Sequence, residues 1–200
     1  MTDRKRARAL AAEAMARGEP LAWFERLYRE AEAGQAVIPW ADLVPNPHVV
    51  EWLDREEAEG AGARAGGRDG GSERSDVSGR ARGGARRALD VGCGLGDDAE
   101  ELARRGFEVT AFDIAEGAVA GARARFPGSA VTYVAANLLD PPRAWLGAFD
   151  LVMEAYTLQV LPPDLRAGAL RVLPRLLAPG GVLVVIARGR DPEGDPGAMP

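Results

Sequence analysis

Over the second half of the chain, short apolar runs alternate with amphipathic stretches. Ala88 to Val91, Phe107 to Phe112, Ala130 to Ala136, Phe149 to Ala155 and Val182 to Ala187 each have the length and β-branched or aromatic content of a strand. Between them, Ala99 to Ala103, Ala115 to Arg125 and Pro163 to Leu177 have helical composition, and Phe126-Pro-Gly128 stops the second of these. Strands separated by helices in this way predict an α/β domain with a parallel sheet. The unbroken run Leu183 to Ile186 predicts a strand covered on both faces.

The first half reads differently. Residues 2 to 17 are rich in alanine and arginine, with Leu10, Ala14 and Met15 as the apolar stripe of a helix. Leu21 to Tyr28 forms a second short helix with a large aromatic face, Trp23, Phe24, Leu27 and Tyr28. A proline-broken segment, Gly34 to Trp40, leads to Pro45-Asn-Pro-His48, where Asn46 is placed to cap a third helix and Pro47 to open it. Trp52 on that helix reads as packing, and His48 as a surface or capping residue.

Between Glu56 and Arg86 there is almost no apolar residue, so burial cannot offset the entropy of ordering that segment. The pattern therefore divides the chain into a helical cap (1–55), a disordered insertion rich in glycine and arginine (56–86), the α/β domain (87–190) and a disordered, polar tail (191–200).

The strongest local signal is Leu89-Asp-Val-Gly-Cys-Gly-Leu-Gly-Asp-Asp98. A strand here runs into a turn with glycines at 92, 94 and 96, and a helix follows, the arrangement that lets a ligand lie on bare backbone at a helix N-terminus. The next strand closes on Asp113, where such units place a carboxylate for ribose hydroxyls. A dinucleotide is disfavoured: position 97, where its third glycine would fall, is aspartate, and Asp97 and Asp98 set two carboxylates where pyrophosphate would lie. A ligand with a ribose, no phosphate and some positive charge fits better, as S-adenosylmethionine does.

These residues resemble the first motif of the class I S-adenosylmethionine-dependent methyltransferases, and later motifs follow in order through Ala178-Pro-Gly-Gly181. The resemblance implies a doubly wound, Rossmann-like sheet of strand order 3-2-1-4-5. It implies that the backbone at Gly92, Cys93, Gly94 and Gly96 holds the methionine part of the cofactor, with Asp90 supporting the loop and Asp113 on the ribose. Phe112, Ile114 and Leu138 would enclose adenine, and Asn137 would accept a hydrogen bond from its amino group. Glu154 and Tyr156 fall at the end of the fourth strand, near the methyl, and are the candidate bases for an acceptor that must lose a proton. More loosely, the Trp-Phe-Glu-Arg-Leu-Tyr helix, Pro39-Trp40 and Pro45-Asn-Pro47 are similar to the N-terminal segment of the thiopurine and tellurite branch, which implies Trp23, Trp40 and Tyr156 as the wall of a small-molecule acceptor pocket. The family's last two strands have no counterpart here, which leaves the fifth strand as a sheet edge to be covered by the tail or a second subunit.

Composition narrows the rest. A net charge of −5 gives no case for nucleic acid or an anionic membrane as partner. No apolar run is long enough to span a bilayer and no leader is evident, so a cytoplasmic protein is expected. One cysteine and one histidine furnish no ordinary metal site, and Cys93 reads as a small packing residue. Two rivals stay open: a protein that binds S-adenosylmethionine without turnover, and a nicotinamide-dependent oxidoreductase on the same fold.

Overall fold

A computed structural model of the protein describes residues 3–65 and 85–189. Three helices come first, α1 (Asp3–Ala16), α2 (Ala22–Glu32) and α3 (Pro47–Ala65). The α/β part follows as β1 (Arg87–Val91), α4 (Asp97–Arg104), β2 (Glu108–Asp113), α5 (Glu116–Arg125), β3 (Thr132–Ala135), β4 (Phe149–Ala155), α6 (Thr157–Val160), α7 (Pro163–Leu176) and β5 (Leu177–Ile186). All five strands are parallel, in the order β3-β2-β1-β4-β5. That is the doubly wound sheet expected from the sequence.

The period-2 alternation of the strands sorts their side chains onto two cores. Ala88, Val109, Ala111, Leu151 and Met153 pack beneath α3, α4 and α5, and Leu89, Val91, Phe112 and Val152 face α6 and α7. A third cluster, Ala7, Leu10, Ala14, Trp23 and Leu27, joins α1 to α2. Two ion pairs flank that cluster, Arg6 to Glu30 at 2.5 Å and Arg26 to Glu13 at 2.7 Å. Met15, expected in the apolar stripe, is 53% exposed, and Ala7, one turn before Leu10, completes the buried face instead.

Helix α3 begins as its sequence dictates. Pro47 is its first residue, and Asn46 Oδ1 accepts the His48 N–H at 3.0 Å. Val49 and Leu53 are buried in the domain core with Trp52 packed against it. The helix runs to Ala65, so the expectation of disorder from Glu56 onward is corrected for residues 56–65. Asp54 and Glu57 both reach the Arg105 guanidinium, at 2.6 and 2.9 Å, and ion pairing replaces apolar burial on this turn. The remaining expectation for the insertion lies on residues 66–84, and that for the 191–200 tail on its whole length, both outside the described residues.

Strand β5 lies at the sheet edge, where the expected strand order puts it, but its faces are less covered than its apolar run predicts: Leu183 packs towards α7 and Val184 and Ile186 towards the opposite core, while Val185 is 45% exposed. An apolar run alone cannot distinguish a central strand from an edge strand. Pairing with β4 shifts register between Phe149 and Leu151, which leaves Ala178-Pro-Gly-Gly181 as a bulge before the regular ladder resumes at Val182.

Gly181 closes that bulge where a Cβ would lie 2.7 Å from the Phe149 carbonyl oxygen and 3.0 Å from that of Ala178. Both are backbone atoms that cannot swing away. Gly181→Ala is therefore expected to destabilise the protein by about 1–3 kcal/mol, read as a lower urea midpoint; an unchanged midpoint would mean that the bulge opens freely.

Candidate functional site

A cavity of about 370 Å³ opens at the C-terminal ends of β1, β2 and β4, where ligands bind in open parallel sheets, and α1, α2 and the segment before α3 form its other wall. Its floor is the glycine turn. Gly92 and Gly96 both have positive φ, 69° and 90°, and neither has room for a side chain: a Cβ at 92 would collide with the Thr157 hydroxyl, and one at 96 with the Tyr133 ring. These contacts make glycine obligatory at both positions.

Asp113 fixes the turn from beside. Its Oδ2 accepts the Gly94 N–H at 3.1 Å and its Oδ1 the Ala115 N–H at 2.9 Å, while the Cys93 N–H donates to the Phe112 carbonyl at 2.9 Å. Burial holds the Asp113 carboxyl above its usual range, against the pull of these N–H donors. Burial likewise raises the Cys93 thiol, with Asp90 and Asp113 adding to it, so this cysteine is held neutral as a packing group.

The first turn of α4 carries the two aspartates, and they are not equivalent. Asp97 is gripped by both terminal nitrogens of Arg125, at 2.7 and 2.8 Å, which neutralises it. Asp98 Oδ1 accepts the Asn46 N–H at 2.6 Å and so ties the cap to the glycine turn. Burial pushes the Asp98 carboxyl up to about 6, against that hydrogen bond. Of the two carboxylates expected to repel phosphate, Asp98 alone lacks a cationic partner among the described residues.

The cap is latched at further points. Glu25 Oε2 accepts the Gly117 N–H at the start of α5 at 3.0 Å, and Tyr28, buried to 4% exposure, lies over Gly94 and Gly117. The Trp40 indole N–H donates to the Tyr28 hydroxyl at 3.2 Å, and Trp40 stands edge-on to Trp23, 5.9 Å between ring centres.

Most residues expected at the site line this cavity. Gly92, Cys93, Gly94 and Asp113 form its floor, and Phe112, Ile114, Asn137 and Leu138 one side. Trp23, Trp40 and Tyr156 form the other. Asn137 has a local task as well: its Oδ1 accepts the Leu139 N–H at 2.9 Å, in an Asx turn. Tyr156 sits in the left-handed region with φ 66° and donates its N–H to the Ile186 carbonyl at 2.8 Å. A tyrosine held there marks a strained turn at a site.

Three expected residues do not reach the cavity. Gly96 lies under Tyr133, and Asp90 is buried below the turn with Oδ2 lacking a hydrogen-bond partner among the described residues. Glu154 is the main correction. The pleat turns it onto the α6 and α7 face, where it is fully buried, and its Oε1 accepts the Leu158 N–H at 2.8 Å. It caps α6 from below and offers nothing to a ligand. Sequence reading gave Asn46 only its capping role and gave none to Glu25 or Arg188, and α6 went unseen because four residues are too few for a periodic signal.

Residues 88–181 match the profile of the methyltransferase domain family. The match covers 94 residues, a little under half of the chain. The chain is 32% identical over 150 residues to the ubiquinone biosynthesis O-methyltransferase of Pseudomonas aeruginosa, an alignment covering 74% of this chain and 53% of that protein. The chain spans about half the length of the curated relatives it matches. Among solved structures it superposes on the N-methyltransferase NodS from Bradyrhizobium japonicum, in complex with S-adenosylhomocysteine, with TM-score 0.51 and 25% identity, covering 80% and 71% of the two chains. A structure from work on the conversion of a disulfide bond into a thioacetal group during echinomycin biosynthesis gives TM-score 0.58 and 26% identity, covering 82% and 57%. The matched segment runs from Ala88 in β1 through α7 to the first half of β5, so the glycine turn, Asp113 and Asn137 lie inside it. Among the described residues no helix is long and apolar enough to cross a membrane, and no group of three acidic, histidine or cysteine residues is placed to hold a metal ion.

Burial pushes the Glu154 carboxyl up to about 7, against the N–H groups of Leu158 and Thr157. The folded protein then holds this proton more tightly than the unfolded chain. The stability it preserves is complete below the ordinary carboxyl range and is lost as pH rises towards 7. Asp98 acts with the same sign. Glu154→Gln is expected to flatten, without abolishing, the fall in melting temperature between pH 5 and 8, and to stabilise the protein at pH 8 by on the order of 1–3 kcal/mol. Parallel wild-type and variant melting profiles would contradict this.

Proposed function

We propose that this protein is an S-adenosylmethionine-dependent methyltransferase acting on a small-molecule acceptor by in-line transfer. The observation that carries this reading is the charge around the glycine turn. Asp98 and Asp113 line the cavity there and Asp90 lies buried beneath the turn; Asp98 and Asp113 accept backbone N–H groups, from Asn46 and from Gly94 and Ala115, and none of the three carboxyls has an ion-pair partner among the described residues. Such a site disfavours a diphosphate and suits a nucleoside bearing positive charge. NodS, the neighbour solved with S-adenosylhomocysteine, supports the same cofactor.

The residues present fit that group. Phe112, Ile114 and Leu138 offer an apolar slot for a base, and Asp113 keeps acceptor capacity for ribose hydroxyls beyond the backbone N–H groups it already accepts. Asn137 Oδ1 likewise keeps one acceptor position beyond its Asx turn for an adenine amino group. When bound, S-adenosylmethionine supplies a methyl already activated on a sulfonium sulfur, so no covalent nucleophile is required of the protein. The protein's part is alignment and the exclusion of water. Cap and domain do this together through Asn46 on Asp98 and Glu25 on Gly117. For an acceptor that must lose a proton, Tyr156 is the candidate base with access; Glu154 no longer is. The aromatic cap, similar to that of the thiopurine and tellurite branch, supports an acceptor of small size.

Calorimetry with S-adenosylhomocysteine should show binding to the wild type and at least a tenfold loss in Asp113→Ala, about 1.4 kcal/mol, with no binding of NADH. Incubation with S-adenosylmethionine and a panel of thiols, phenols and amines should give a methylated product by mass spectrometry. Tight NADH binding would replace this reading with an oxidoreductase. Cofactor binding with no product from any acceptor class would favour a protein that holds the cofactor without transferring its methyl.

A further inference from the structure

Tyr28, on α2 of the cap, carries a hydroxyl of which the fold uses only one side. Its ring is 4% exposed and packs against Ala115 and Ala118, with Leu95 beside them. The hydroxyl oxygen accepts the Trp40 indole N–H at 3.2 Å, but the proton on that oxygen has no acceptor among the described residues. A buried hydroxyl ordinarily places its proton. This one stands over the glycine turn: a Cβ on Gly94 would come within 3.2 Å of the oxygen, and Tyr28, Trp40 and Gly94 all line the cavity.

The surroundings determine what the group can offer. Because the Trp40 N–H already points at the oxygen, the O–H is turned away from Trp40 and is available as a donor. Burial raises the phenol well above its usual range, and Asp113 adds to it, so the proton stays on the oxygen. Tyr28 is therefore a donor and not a base. On the turn beneath it several N–H groups are already spent: that of Gly94 on Asp113 Oδ2, that of Cys93 on the Phe112 carbonyl and that of Gly96 on the Cys93 carbonyl. A ligand lying on this backbone meets carboxylates at its sides, Asp98 and Asp113, and from the cap it is offered one unspent proton.

We propose that Tyr28 is a cofactor-binding residue supplied by the cap, its hydroxyl donating to the carboxylate of the methionine part of S-adenosylmethionine. This rests on the methyltransferase reading and deepens it, since the methionine part is the piece laid on the Gly92 to Gly96 backbone. The carboxylate is the one anionic group on that cofactor, and among carboxylates of the protein it gains most from a neutral donor held close by. The consequence is selection for the amino-acid end of the ligand. A nucleoside without that end, such as methylthioadenosine, fills the slot between Phe112 and Leu138 and leaves the Tyr28 proton unclaimed.

The test titrates the whole chain calorimetrically with S-adenosylhomocysteine and with methylthioadenosine. Tyr28→Phe deletes one oxygen; it is expected to weaken S-adenosylhomocysteine about tenfold and to change methylthioadenosine by less than about twofold. An unchanged S-adenosylhomocysteine affinity would overturn the proposal. So would an equal loss on both ligands, because it would assign the effect to packing of the ring. A crystal structure of the wild type with S-adenosylhomocysteine decides the matter independently of how the variant folds. A carboxylate oxygen is expected at about 3 Å from the Tyr28 hydroxyl, and a carboxylate bound out of its reach would overturn the proposal while leaving the cofactor reading intact. Failure of S-adenosylhomocysteine to bind the wild type would overturn the methyltransferase reading, and this inference with it.

Discussion

Asp113 joins the pieces from which the site is made. One carboxylate holds the turn after β1 through Gly94 and the start of α5 through Ala115, so the end of β2 sets the position of both. The arrangement works because the strands are parallel and in register, with Val91 opposite Phe112, which brings the ends of β1 and β2 to the same height. Burial costs the carboxylate solvation, and the two N–H groups return part of it. The same N–H groups would otherwise be left unpaired at the mouth of a cavity. A ligand placed there meets a turn already shaped for it.

The cap depends on that turn in its own right. Its polar contacts fall on groups that the turn and its helices present: Asn46 on Asp98 and Glu25 on the Gly117 N–H. Beside them the contact is apolar, with Tyr28, Phe24 and Ile38 against Ala115, Ala118 and Leu95, and with Val49 and Leu53 of α3 buried in the domain core. Cap and domain are therefore joined by packing as well as by hydrogen bonds, and the glycine turn is supported from the cap side as it is from β2.

Much of this was legible in the sequence because it follows from constraints that act locally. Glycine at 92 and 96 announces positive φ, strand lengths and intervening helices announce a parallel sheet, and Asn46-Pro47 announces a helix start. What could not be read was where long-range contacts override local pattern. Glu154 lies at the end of β4, where a side chain can rise into the cavity or pass beneath it. The left-handed turn at Tyr156 decides the matter by bringing the N–H of Leu158 down onto the carboxylate. Helix α3 extends past its apolar residues because Arg105, fifty residues away in sequence, supplies the charge that Asp54 and Glu57 need. The apolar run of β5 predicts cover on both faces, yet at the edge position that the strand order assigns it Val185 stays 45% exposed, a difference no run of valines contains.

The acids around the glycine turn connect binding to folding. Asp90 is buried with an oxygen unpartnered among the described residues, and its proton affinity is raised first by burial and then by Asp98, Asp113 and Glu154. A fold that assembles four carboxylates around one turn, with no cation among its described residues pairing with any of them, holds part of its stability in reserve. A ligand carrying positive charge to that turn binds the folded chain alone, and it relieves repulsion that the unfolded chain never had. Its binding free energy is therefore gained as stability, and the gain should be largest where the carboxylates are ionised, above the pH at which burial keeps them protonated. A neutral nucleoside of the same shape would fill the apolar slot between Phe112 and Leu138 and leave this electrostatic part unclaimed.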